Sequence, residues 1–239
     1  MEKKRFEEEM SKKSKILGVR FSVEQIEQFY KYMNLLIEWD EKMNLTAITE
    51  PKEIILKHFI DSITILKYID DNSKLVDVGT GAGFPGVPLS IMNPTLKITL
   101  VDSLNKRLIF LQEVVKELNL KNIEIVHARA EEFGQNKNYR EKFDIATSRA
   151  VANLSVLLEY CIPFIKKGGS FISYKSVASD DELAESKNAQ NKLCCKLKQN
   201  IAFELPDTDI HRNFLIFEKF DKTADKYPRN NGIPRKKPL

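Results

Sequence analysis

The chain has 239 residues and 42% hydrophobic content, enough for one good core with a small appendage, and no apolar stretch approaches the roughly 20 residues that a helical membrane span needs. Its net charge of +4 is too small to prove a polyanionic partner. The three cysteines, Cys161, Cys194 and Cys195, lack metal-ligand spacing, and the vicinal pair cannot close without strain, so reduced thiols and no metal site are the expectation.

The first residues, MEKKRFEEEMSKKSK, carry charge without the apolar run of a secretory leader, so a cytoplasmic protein is expected. Residues 23–40 (VEQIEQFYKYMNLLIEWD) place apolar groups at three- and four-residue intervals, with Ser22 as the predicted N-cap. Trp39 and the Phe29/Tyr30 pair fall on that spacing and are assigned to packing. Pro51 opens a second helix, PKEIILKHFIDSITILKYI, at the first-turn position that proline tolerates. The stretch 1–70 therefore forms a helical cap.

From Lys74 onward, short β-branched runs alternate with helical patterns. The predicted strands are LVDVG, KITLVD (97–102), IEIVHA (123–128), FDIATSR (143–149) and SFISYK (170–175). Amphipathic segments lie between them, which argues for parallel strands joined by right-handed crossovers. After a polar helical stretch over 178–193, KLKQNIAFELP and RNFLIFEK are separated by a linker too short for a helix, so an antiparallel hairpin closes the sheet. Residues 71–221 thus form a Rossmann-like, seven-stranded, mostly parallel sheet. The rest, 222–239, holds Lys222, Lys226, Arg229, Arg235, Lys236 and Lys237 against Asp225 alone, with three prolines. Such a segment predicts an extended basic tail, suited to nucleic-acid phosphates or simply to solubility.

The first strand runs into LVDVGTGAGFPGVPLS, residues 75–90. No Gly-Lys-Ser/Thr follows the glycines, which excludes a P-loop. Gly81 to Gly86 satisfies the dinucleotide fingerprint literally, and Asp102 ends the next strand at roughly the expected distance. Asp77, however, stands two residues before Gly79, where an acid would repel a pyrophosphate and suit a cationic ligand. S-adenosylmethionine carries an ammonium and a sulfonium and no phosphate, so it is favoured over the dinucleotide. Gly81 would let bare backbone approach it, and Asp102 would accept from both ribose hydroxyls.

NLTAIT, KHFIDSI, LVDVGTGAGFPGVPLSI, LVDSLNKRLIFLQEV, HARAEE and ATSRAVANL follow one another in the chain. In this order they resemble the bacterial 16S ribosomal RNA guanine-N7 methyltransferases, the glucose-inhibited division protein B family, from about Phe29 to Phe220. The resemblance implies a class I S-adenosylmethionine-dependent methyltransferase fold and a donor site on Gly79, Phe84, Ala130, Glu131 and Arg149. It also implies 16S ribosomal RNA or the small ribosomal subunit as partner. A monomer without membrane association is expected. A non-catalytic RNA-binding or ribosome-assembly protein retaining the fold is the alternative, against which the intact glycine loop stands.

The segment Ser148-Arg149-Ala150-Val151 lacks the Asn/Asp-Pro-Pro-aromatic loop usual for methylating exocyclic amines, and no cysteine is placed as a nucleophile for pyrimidine carbon-5. Guanine N7 has an in-plane lone pair and no proton to lose, so no general base is expected and positioning dominates. Arg149 and His58 are the positioning candidates. His58 and Asp61 share a polar stripe with Lys57 and Ser62; capping of neighbouring backbone is the alternative role for His58. Asn44, Thr46 and Lys175 are further pocket candidates, and His127 is assigned a structural role.

Overall fold

The computed structural model describes residues 1–149, 152–176 and 180–239. Ala150 and Val151, from the segment that follows the fourth strand, lie outside the described residues. So do 178 and 179, at the start of the predicted polar helix, whose remainder forms the helices Asp180–Glu185 and Lys187–Leu193.

Seven strands form one sheet among the described residues: β1 (Lys74–Val78), β2 (Lys97–Asp102), β3 (Ile123–His127), β4 (Phe143–Arg149), β5 (Ile165–Lys175), β6 (Cys195–Glu204) and β7 (His211–Lys219). Their order is β3-β2-β1-β4-β5-β7-β6. The first five run parallel, and β7 lies antiparallel between β5 and β6. The order reverses between β1 and β4, the switch point at whose carboxyl ends such sheets bind ligands.

Alternation along the strands buries both faces. Leu75, Ile98 and Leu100 join the N-terminal helices in one apolar cluster, built around Phe6, Met10, Phe29, Tyr32 and Phe59. Val76, Val78 and Val101 join a second cluster on the opposite face, with Leu157, Phe164 and Tyr227. Two-sided burial is what a parallel sheet covered by crossover helices requires.

Ser22 caps the helix Val23–Met43 through a capping box with Gln25. Phe29 is fully buried, while Tyr30 and Trp39 are partly buried against the same core, as their helical spacing predicts. The charged N-terminus also forms a helix, Lys3–Leu17, buried through Phe6, Met10 and Ser14 at four-residue spacing. Pro51 does open a helix, where Glu50 accepts from the amides of Lys52 and Glu53. Its middle, Ile54–Ile60, winds as a π-helix instead of continuing the expected α-helix.

Two further expectations change. β5 starts five residues before the predicted SFISYK, because Gly168 and Gly169 lie within the strand at an irregularity in its pairing with β4. A side chain at Gly169 would meet the Asp144 carbonyl at 2.5 Å, so the glycine that reads as punctuation is a close backbone approach. The basic segment 222–239 is not extended but folds back on the body. Arg140 donates to the carbonyls of Thr223, Ala224 and Tyr227, and Arg229 forms a two-pronged ion pair with fully buried Glu159. Among the described residues no helix is long and apolar enough to cross a membrane.

Candidate active site

A cavity of about 700 Å³ opens at the carboxyl ends of β1, β2 and β4. On one side stands the glycine loop that follows β1. Gly79 and Gly81 have φ of 72° and 63°, in the left-handed region that glycine adopts without a steric penalty. A Cβ on Gly81 would meet no protein atom within 4 Å, so this backbone faces open space. Gly83 is different: its Cβ would crowd the Tyr32 hydroxyl and Val87 at 2.7 Å, so that glycine is needed for packing.

Asp77 lies beneath this loop and not in the cavity wall. It is fully buried, and its Oδ2 accepts from Thr80 Oγ1 at 2.7 Å and the Gly86 amide at 2.9 Å. Burial pushes its carboxyl up to about 6. The acid thus braces the loop from below, where the sequence placed it against the ligand's charge. The pattern Asp-x-Gly is legible either way, but the inward direction of the side chain follows from strand alternation, since Asp77 points to the opposite face from Val76 and Val78.

Asp102, at the end of β2, does line the cavity. Its Oδ2 accepts from the Gly81 amide at 2.9 Å and from Arg107 Nη1 at 3.1 Å, and Oδ1 from the Leu104 amide at 2.9 Å. Of about four acceptor positions on a carboxylate, three are occupied. One direct hydroxyl contact is open, and meeting both ribose hydroxyls would require Arg107 to withdraw. Ala130 and buried Glu131 follow β3 and line the cavity together with Tyr160. The tail supplies Gly232 and Arg235 to the same wall, a contribution that no local motif signals.

The opposite wall is built from β4 and the helical cap. Arg149 Nη1 donates to the Lys57 carbonyl at 2.8 Å and to Asp61 Oδ2 at 3.3 Å, and its Nη2 donates to His58 Nδ1 at 3.0 Å. The guanidinium also lies 5.2 Å from the Phe84 ring centroid, where the ring quadrupole attracts it. His58 stacks on Phe84 with centroids 4.3 Å apart and approaches Thr46 Oγ1 at 2.9 Å. Burial, then the neighbouring Arg149, lowers the His58 pKa to about 3, so the imidazole is neutral at physiological pH.

Asp61 is 2% exposed and lies between Arg149 and Arg212, the latter donating from Nε at 3.2 Å. Burial raises its carboxyl above the ordinary range, and both arginines offset part of that rise. The His58 ring meets Arg149 and Thr46 through its two nitrogens, a hydrogen bond with the Lys57 backbone opposes part of its pKa fall, and its own carbonyl accepts from Ser62 Oγ.

Other candidates separate. Thr46 lines the cavity. Asn44 ends its helix in the left-handed conformation, with φ of 49°, and Lys175 pairs with Glu182 at 2.6 Å; neither is in the wall. His127 bonds the Ser103 carbonyl at 3.0 Å, consistent with a structural role. Cys161 is buried, which pushes its thiol well up, and burial takes Cys195 to about 12. Thiolate chemistry is thereby disfavoured at both.

A family model described as rRNA small subunit methyltransferase G matches residues 25–210. The chain belongs to that family. Ribosomal RNA small subunit methyltransferase G of Acetivibrio thermocellus is 54% identical over 223 residues, 93% of this chain and 92% of the relative. The protein of that name in Lysinibacillus sphaericus is 49% identical over the full length of both. Among solved structures, a SAM dependent methyltransferase from Aquifex aeolicus covers 77% of this chain and 98% of its own, with 17% identity and a TM-score of 0.54. M. jannaschii TYW2, solved in complex with AdoMet, covers 85% of this chain and 78% of its own, with 14% identity and a TM-score of 0.51. The class I methyltransferase fold expected from the sequence is therefore present.

The methyltransferase G family uses S-adenosylmethionine as donor, and the residues of the cavity fit it. Open space over Gly81 gives the ligand bare backbone to lie against. Asp102 and Glu131 supply acceptors, and Phe84 and Ala130 supply apolar surface.

Proposed function

We propose that this enzyme transfers the methyl group of S-adenosylmethionine to N7 of a guanine in 16S ribosomal RNA, with the RNA or the small subunit as its partner and a monomer as the working form. The observation that supports this most is the composition of a single cavity. Its donor side is the glycine loop with Asp102 and Glu131, and its other side is the Phe84–His58–Arg149–Thr46 cluster. The name of the family supports the acceptor class.

The donor supplies an electrophilic methyl on a sulfonium. The chain's task is then to hold an acceptor nitrogen in line with that methyl, which removes the entropic cost of meeting. Gly79 and Gly81 bind through bare backbone, and Asp102 orients through its open acceptor position. Phe84, stacked with both His58 and Tyr32, is a fixed part of the cavity wall. N7 carries no proton, so no residue must accept one, and neutral His58 with its nitrogens engaged is not poised as a base. Fixed dipoles and the paired Arg149 set the field around a base that becomes cationic.

Incubating the purified enzyme with labelled S-adenosylmethionine and unmethylated 16S RNA, free or in the small subunit, tests this reading. Digestion to nucleosides should place the label in 7-methylguanosine. Label in any other nucleoside, or none in RNA, would refute it.

A further inference from the structure

We propose that the Thr46 hydroxyl selects guanine by donating a hydrogen bond to O6, acting only as a donor because His58 and the Ile48 amide fill its acceptor positions. The inference rests on the guanine-N7 reading above and assigns a specificity-determining residue to that site.

The Arg149 guanidinium can only donate. Its Nη2 lies 3.0 Å from His58 Nδ1, so Nδ1 must be bare and the imidazole hydrogen must sit on Nε2. Nε2 is 2.9 Å from Thr46 Oγ1, and its hydrogen is therefore donated to the hydroxyl. The Ile48 amide donates to the same oxygen at 3.1 Å. A hydroxyl has two acceptor positions and one hydrogen. Both positions are occupied, and among the described residues its hydrogen bonds no acceptor.

Thr46 is also fixed in place. Asn44 ends the preceding helix in the left-handed conformation, and Asp40 Oδ1 accepts from the amides of Leu45 at 2.6 Å and Thr46 at 2.8 Å. The hydroxyl is part of the cavity wall that Phe84 and Arg149 share. Arg149 spends three of its five N–H donors on Lys57, Asp61 and His58, and the Thr46 hydroxyl adds a fixed donor to the same wall.

An acceptor base must turn its N7 edge toward the donor methyl. Beside N7, guanine presents O6, an acceptor, whereas adenine presents an amino group, a donor. A hydroxyl that can only donate satisfies O6 and leaves an adenine amino group facing another hydrogen. Sites built this way discriminate by leaving the wrong partner's polar groups unpaired. His58 is then a positioning residue, acting through Thr46.

The test uses full-length enzyme and 16S RNA assembled by ligation, carrying either guanine or 2-aminopurine at the mapped target and supplied free and in reconstituted subunits. 2-Aminopurine keeps N7 but has no O6. The wild-type enzyme should methylate it about tenfold more slowly than guanine, the scale of one hydrogen bond. Thr46→Val should be slowed about as much on guanine and should no longer distinguish the two bases, while Thr46→Ser should keep the discrimination. Thr46→Ala serves in place of valine if that variant does not fold, and unchanged S-adenosylmethionine affinity verifies the donor site in each. Equal wild-type rates on the two bases, or undiminished discrimination without the hydroxyl, would overturn the proposal. No 7-methylguanosine on the guanine RNA would instead overturn the guanine-N7 reading, and this inference with it.

Discussion

Asp102 holds the Gly81 and Leu104 amides on one carboxylate, so it shapes the donor loop as well as facing the cavity. Asp102→Ala should weaken S-adenosylmethionine binding by about 1.5–3 kcal/mol, the scale of hydrogen bonds to a charged acceptor, measured by isothermal titration. Gly81→Val should abolish binding, since its φ of 63° strains a β-branched residue and the side chain would enter space that is open in the protein. Unchanged affinity in both folded variants would contradict this donor site. His58 carries a pH signature. Its folded pKa of about 3 lies below the ordinary 6.5, so the unfolded chain binds a proton that the folded chain refuses between those values. Its contribution is complete above pH 6.5 and lost as pH falls toward 3. Asp77, raised to about 6 from 3.8, works in the opposite sense, stabilising below 3.8 and losing that as pH rises through 6. The informative quantity is therefore the difference in melting temperature between wild type and His58→Asn, which should shrink from pH 7 to pH 4; a constant difference would contradict the neutral, buried imidazole. At this scale the glycine loop and Asp102 were legible as a pattern, whereas the inward direction of Asp77 was not. The Arg149–His58–Thr46 chain was not either, because its members come from a strand, a helix and a loop far apart in sequence and only their packing joins them.

The tail and the π-helical turn show how much a segment's role depends on distant partners. Arg229 pairs with Glu159, which is fully buried, and breaking a buried pair strands a charge at a cost of about 3–5 kcal/mol. Arg229→Ala should therefore lower the melting temperature by roughly 6–20 °C for a chain of this size. Replacing both partners with apolar residues should recover much of that loss, and a single variant as stable as wild type would contradict the pairing. Because Gly232 and Arg235 line the cavity, deleting 222–239 should weaken donor binding too, which an extended arm would leave untouched. Composition marked this segment as an extended arm, whereas three of its carbonyls are held by Arg140 and its Arg229 by Glu159. The helix after Pro51 was legible from its proline and apolar spacing. Its π-winding over Ile54–Ile60 was not, since periodicity over so few residues cannot separate the two windings. Such turns occur often at functional sites, and this one carries His58.

For the whole molecule, the alternation of strand and helix predicted the seven-stranded sheet and its antiparallel close, because two-sided burial and short connections leave few other topologies. The order β5-β7-β6, with the last strand inserted inside, required the structure. The sheet brings the donor loop of β1, the acid of β2 and the arginine of β4 to one edge, and the helical cap closes the other side of the same cavity. This architecture is built for positioning, so the transfer step should show no acid limb from a catalytic base near neutrality in single-turnover reactions with saturating RNA; a steep limb assigned to one side chain would contradict it. The most direct measurement is mass-spectrometric mapping of modified nucleosides in 16S RNA from cells with and without the gene. One 7-methylguanosine should be present with the gene and absent without it; an unchanged guanine pattern, or loss of a different modification, would contradict methyl transfer to guanine N7.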